Sequence, residues 1–252
     1  MKIPQTINRI LDQFNEWYRW PQPNIIQRNV MGMNKDVIDY EFTSKRLASE
    51  SAAEYNLAKM RTTMNFNTDY DLRQYVCEYI QDLGMPGVIL EFGVSTGRTI
   101  NHIARECPND IVIGLDCFDG LPHDWTNRFC KGSFKATVPK VKSNVHLVIG
   151  LFKDLSPSIV FNQIGVDDIQ SIKMIHIDCD LYSSTCDIFN VWHNHIVPGT
   201  VILFDEYINY PGWQLDEFKA FQEFVSKYNI TYKYIGKVSS HNQVAVEICT
   251  KG

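Results

Sequence analysis

The 252-residue sequence has no run approaching the roughly 18 consecutive apolar residues of a membrane span, and its start, Met1-Lys2-Ile3-Pro4-Gln5, lacks the apolar core of a secretion signal. A surplus of positive charge is also missing. With 24 Lys plus Arg against 29 Asp plus Glu the formal net charge is -5, so a general nucleic-acid binder is not expected. There is no C-x-x-C pair: Cys77, Cys107, Cys117, Cys130, Cys179, Cys186 and Cys249 are odd in number and scattered, against both a disulfide framework and a structural zinc site. Internal repeats and low-complexity stretches are absent. What remains is ordinary globular material, 44% hydrophobic and 21% charged, enough for a sizeable core and incompatible with disorder. A soluble cytoplasmic protein that engages neither membrane nor nucleic acid is the expectation.

The texture changes near residue 85. Before it, apolar residues recur at helical spacing: Ile7, Ile10, Leu11, Phe14, Trp17 and Tyr18 predict one helix ending before Pro21, and two more are predicted over Leu47–Met64 and Thr68–Leu83. Thr68 suits an N-cap, Asp69 and Asp71 the first turn, and Gly84 with Pro86 the stop. From Val88 onward short apolar runs alternate with helical patterns: Val88–Phe92, Ile111–Leu115, Val145–Ile149, Met174–Ile177 and Val201–Phe204. Runs this continuous suit strands buried on both faces. Two further strands, near Thr231–Ile235 and Gln243–Cys249, would close the edge, with helices over Arg98–Glu106, Tyr182–His195 and Trp213–Tyr228. The expected fold is a doubly wound, mostly parallel, seven-stranded Rossmann-like α/β sheet over residues 85–252. Residues 1–84 are read as a helical extension that lids the site and offers a homo-oligomer contact.

In open parallel sheets ligands bind at the carboxyl ends of the strands. The first apolar run ends Glu91-Phe92-Gly93-Val94-Ser95-Thr96-Gly97, a small-residue loop entering a helix, where backbone comes close to a ligand and free N–H groups are on offer. Its E-x-G-x-x-x-G spacing is not the G-x-G-x-x-G that seats a pyrophosphate, and an acid at its head suits an amino group or a cation. The second run ends at Asp116, where nucleoside-binding α/β folds place a ribose-binding carboxylate, followed by Cys117. S-adenosylmethionine meets both constraints, with Glu91, Gly93, Val94, Ser95, Gly97, Asp116 and Cys117 as its expected contacts. Further acids follow the later runs, Asp178 and Asp180 after one, Asp205 and Glu206 after the next. Carboxylates gathered at one edge repel unless protonated or bound to a cation, and a hard divalent ion is one solution. Solvated strand-end acids, salt-bridge partners and a metal-free catalytic pair are the others.

From about Thr63 to Cys249 the chain resembles the macrocin O-methyltransferase family of class I S-adenosylmethionine-dependent methyltransferases. The resemblance lies in Leu90-Glu91-Phe92-Gly93-Val94, in Gly114-Leu115-Asp116-Cys117-Phe118-Asp119-Gly120-Leu121-Pro122 with Trp125 after it, in Ile177-Asp178-Cys179-Asp180-Leu181-Tyr182-Ser183-Ser184-Thr185 and in Phe204-Asp205-Glu206-Tyr207. It implies that Asp178, Asp205 and Glu206 align with three magnesium-binding acids, although the family's Asp-Asp pair reads Asp205-Glu206 here.

Methyl transfer from a sulfonium needs a nucleophilic oxygen about 3 Å from the methyl carbon and in line with the C–S bond. A divalent ion held by Asp178, Asp205 and Glu206 and chelating two neighbouring hydroxyls would position one of them and lower its pKa. The expected acceptor is therefore a vicinal diol of a sugar or another small-molecule natural product. Asp178 is also named as catalytic, and His241, in the polar Ser239-Ser240-His241-Asn242 segment, is the candidate general base. The alternatives are a nicotinamide-dependent oxidoreductase and a non-catalytic nucleoside-binding module of the same fold.

Overall fold

A computed structural model describes residues 40–126, 128–166 and 171–252. The helix expected over Ile7–Tyr18 lies outside them. In chain order the described elements begin with α1 (Tyr40–Lys59), β1 (Met64–Phe66), α2 (Asp69–Leu83), β2 (Val88–Phe92), α3 (Arg98–Glu106), β3 (Val112–Asp116) and β4 (Val145–Ile149). They continue with α4 (Pro157–Ile164), β5 (Ile172–Ile177), α5 (Tyr182–Trp192), β6 (Val201–Phe204), α6 (Glu217–Lys227), β7 (Thr231–Val238) and β8 (Val244–Thr250). The predicted caps of α2 form: Thr68 Oγ1 accepts the Asp71 N–H at 3.1 Å, and Gly84 ends the helix at a φ of 61°. The helix predicted over Trp213–Tyr228 is instead a 3-10 turn, Trp213–Leu215, followed by α6, because Asp216 at φ -107° and ψ -124° interrupts the spiral.

The strands form one sheet in the order β1-β7-β8-β6-β5-β2-β3-β4. Only β8 runs against its neighbours. The sheet has eight strands rather than the predicted seven, since β1 adds to the outer edge of β7, pairing Met64 with Gly236 and Phe66 with Val238.

Side chains alternate between the faces. Leu90, Phe92, Ile175, Ile177, Ile202 and Phe204 pack on one face with residues of α1, α5 and α6. Ile89, Val112, Met174, Val201 and Leu203 pack on the other with Val76 and Ile80 of α2 and Ile100 and Ile103 of α3. This double cover explains why the strand sequences are almost wholly apolar. Glu91 and His176 are fully buried exceptions on the second face, opposite each other in the β2–β5 register. Among the described residues no helix is long and apolar enough to cross a membrane.

Candidate functional site

From β2 the chain steps outward to β3 and β4, then returns to the other side of β2 to form β5. Such a reversal opens a crevice at the carboxyl ends of the two central strands. A cavity of about 1060 Å³ occupies that place, bounded by the loop after β2, the ends of β3 and β4, and the residues after β5 and β6. Ligand cavities usually fall at or below this size, so there is room for more than one small molecule.

The loop after β2 forms one wall. Gly93 has a φ of +91°, and a Cβ built there would lie 1.8 Å from the Asp178 carbonyl oxygen, so only glycine lets this loop cross the end of β5. Gly97, at a φ of +78°, precedes the first turn of α3. Asp116 binds this loop: its Oδ2 accepts the N–H groups of Val94 and Ser95, each at 2.8 Å, while Oδ1 accepts that of Phe118 at 2.7 Å. Gly93, Val94, Ser95, Asp116 and Cys117 all line the cavity. The carboxylate expected to meet a ribose thus also shapes the loop, with acceptor capacity left on Oδ1.

Across the cavity stands an aromatic wall. Trp125 stacks on Phe129 with ring centres 5.6 Å apart, and Phe129 meets Phe134 at 4.9 Å. Trp125 Nε1 donates to Asp216 Oδ2 at 3.1 Å, which ties this segment to the residue before α6.

The floor is acidic. Asp178, Asp180 and Glu206 line the cavity, Asp205 follows β6, and Glu217 at the start of α6 is fully buried behind them. Glu217 Oε2 accepts the Glu206 N–H at 3.1 Å, whereas Glu217 Oε1 and Glu206 Oε2 are buried without a hydrogen-bond partner. Burial and the charge of Asp205 push the Asp178 carboxyl well above the usual range, although His176 pulls it down. Burial, Asp205 and Asp216 push Asp180 up to about 7, at a residue held at a left-handed φ of 62°. Burial and Asp205 likewise raise Glu206, and burial and Asp180 raise Glu217. Asp205 goes the other way: burial would raise it, but the adjoining His176 holds it below the usual range. His176 is itself raised to about 10, since the carboxylates of Asp205 and Glu91 outweigh its burial.

Two predicted placements are corrected. Glu91 does not line the cavity: it is fully buried, and its oxygens meet Thr99 Oγ1 at 2.9 Å and His176 Nδ1 at 3.0 Å. Position 91 is the fourth residue of a five-residue strand and points into the helix-covered face, not off the strand end. His241 lies exposed in the turn between β7 and β8 and is not part of the cavity wall. Of the expected metal trio, Asp178 and Asp205 converge with a further residue, His176. Among the described residues the group whose ligand atoms converge, all within 4.8 Å of one another, is His176, Asp178 and Asp205. Glu206 is the residue after Asp205, so alternation turns it to the other face, where Glu217 holds its backbone.

His176, Glu217 and the aromatic residues Phe129 and Phe134 carry the site without having been expected there. His176 had a readable signal, a lone polar residue at period two before Asp178. Glu217 had none, because it opens an amphipathic helix where acids are commonplace.

Residues 90–207 match a family profile described as a methyltransferase domain. No curated protein matches the chain. Among solved structures it is similar to CalS11, a calicheamicin methyltransferase, with a TM-score of 0.53 and 17% identity over 87% of this chain and 99% of that one. It is also similar to the O-methyltransferase NovP, with a TM-score of 0.56 and 18% identity over 84% of this chain and 98% of that one. At these identities the likeness is one of fold.

Proposed function

We propose that the protein is an S-adenosylmethionine-dependent O-methyltransferase that acts, with a divalent cation, on one hydroxyl of a vicinal pair in a sugar or similar small molecule. The observation that carries this reading is the meeting, in one cavity, of a glycine loop organised by a strand-end carboxylate and a floor of buried acids. The methyltransferase-domain match over residues 90–207 supports the transfer chemistry, and the strings around Asp116, Asp178 and Asp205 support a macrocin-type acceptor.

In this reading the donor lies along Gly93–Gly97 and Asp116, and the acceptor between the aromatic wall and the acids. Asp178 and Asp205, whose oxygens converge after β5 and β6, are hard donors that fit a divalent cation. Asp178 and Asp205, with Glu206 from the cavity side, would hold it, with magnesium the expected ion. When bound, it would lower the pKa of the acceptor hydroxyl. Asp178 is our assignment for the carboxylate at that hydroxyl, since it lines the cavity. Asp116 keeps the donor loop in shape before any ligand arrives, so less ordering remains to be done on binding. Trp125, Phe129 and Phe134 offer apolar faces that exclude water from the acceptor side.

That the N-terminal region lids the site and offers a contact between copies belongs to the same proposal, although β1 and α2, which also precede residue 84, are part of the sheet and its cover. A reducing, cytoplasmic setting accords with the described cysteines, all of them free thiols.

The test is formation of S-adenosylhomocysteine from S-adenosylmethionine with a panel of vicinal-diol sugars and catechols, before and after chelation. Turnover that chelation abolishes and added Mg2+ or Mn2+ restores is the expected result. Methylation indifferent to chelation would remove the cation, and no turnover with any acceptor would leave the enzyme assignment without support.

A further inference from the structure

Glu91 and His176 are two fully buried ionisable side chains on a sheet face that is mostly apolar. Their geometry is specific. Thr99 Oγ1 of α3 donates to Glu91 Oε1 at 2.9 Å, and Glu91 Oε2 lies 3.0 Å from His176 Nδ1. A carboxylate accepts, so the hydrogen of this bond is on Nδ1, which leaves Nε2 as the ring's outward atom. Nε2 is buried, has no hydrogen-bond partner and stands 3.9 Å from Asp205 Oδ1, too far for a hydrogen bond. Strand alternation aims it there: His176 and Asp178 share one face of the β5 path, and Leu203 and Asp205 share the same face of β6. A buried ring nitrogen that faces two carboxylates calls for positive charge between them, supplied by a proton on Nε2 or by a metal ion that takes the proton's place.

We propose that His176 Nε2 is a direct ligand of the divalent cation together with Asp178 and Asp205, and that Glu91 is a positioning residue that fixes the imidazole through Nδ1–H. This rests on the cation-assisted reading above and deepens it. The chain Thr99–Glu91–His176–cation follows the carboxylate–histidine–metal arrangement in which an outer acid sets the tautomer and raises the basicity of the ligating nitrogen. It also changes which ion the site prefers. Mg2+ favours an all-oxygen octahedron, whereas an imidazole among carboxylates suits Mn2+, Co2+ or Zn2+. Thr99 lies in the first turn of α3, directly after the glycine loop, so the same chain links the cation's ligand to the element that borders the donor's side of the cavity.

The experiment uses the untagged full chain loaded with Mn2+ and reads the electron spin-echo modulation of the ion. Nitrogen modulation of the imidazole type is expected from the unmodified protein. In His176→Gln it disappears, with Mn2+ affinity down about 10–100-fold; in Glu91→Gln it persists, with affinity down about 10-fold. Mn2+ held in oxygen-only surroundings, a signal unchanged by His176→Gln, or no Mn2+ binding at all overturns the proposal, and the first and last of these need no variant to fold. Calorimetric titration of the same samples with S-adenosylmethionine separates the two readings. Binding of that molecule beside an oxygen-only Mn2+ site sinks His176 as a ligand and leaves the methyltransferase standing, whereas no binding sinks the methyltransferase itself.

Discussion

Gly93 is the residue with the least freedom to change. Alanine there would have to adopt a φ of +91° and place its Cβ 1.8 Å from a backbone carbonyl oxygen that belongs to the strand end carrying Asp178. Either the loop or the acid must move, and both belong to the site. Gly93→Ala should therefore abolish S-adenosylmethionine binding in a calorimetric titration while circular dichroism still reports the α/β fold. Retained affinity would mean that the loop does not bound the donor. Away from the cavity, His102 is buried against Arg73, whose Nη1 lies 3.2 Å from His102 Nδ1, and Tyr70 stacks on its ring at 4.1 Å. A donor facing Nδ1 requires that nitrogen to be unprotonated, and burial with the neighbouring Arg73 charge lowers the pKa of His102 to about 4. The unfolded chain, with a histidine pKa near 6.5, then binds the extra proton between about pH 6.5 and 4, so stability falls as pH drops through that window. Urea unfolding across pH should show His102→Gln losing less stability than the unmodified protein, by at most ~1.4 kcal/mol per pH unit. Parallel pH profiles would contradict this.

At the scale of elements, what could be read in advance followed how uniform each environment is. The strands β2, β3, β5 and β6 are covered on both faces, so their sequences are mostly apolar runs and their positions were plain. β1 was missed because Met64-Asn65-Phe66 is short and largely exposed, and an edge strand bonded on one side needs no apolar run. The ends of α2 were legible because capping is local chemistry. Thr68→Ala removes the acceptor for the Asp71 N–H and should cost about 1 kcal/mol in chemical denaturation, with donor binding unchanged. A cost near zero would show that solvent replaces the cap. The acids at the strand ends could be found for the same local reason, since they directly follow the runs. Glu91 was placed too near the edge, because its register against His176 depends on pairing between strands far apart in sequence. The same long-range pairing hid His176, and the packing of α6 against the ends of β5 and β6 hid Glu217.

At the scale of the molecule the sheet order puts the glycine loop and the acids of β5 and β6 at one edge, and the strand reversal at β2 and β5 leaves the opening between them. Charge is distributed with the same asymmetry. The modest formal excess of acid is concentrated where Asp178, Asp180, Asp205, Glu206 and Glu217 stand close behind one cavity, although Arg98, Lys131 and Lys153 lie on its other walls. That arrangement favours a cationic donor and a metal ion and disfavours a dinucleotide diphosphate at the floor. The most direct test is a calorimetric titration of the full chain with S-adenosylmethionine and, in parallel, with NAD. The account predicts saturable binding of one S-adenosylmethionine per chain, lost in Gly93→Ala, and no heat from NAD; binding of NAD with none of S-adenosylmethionine would contradict it.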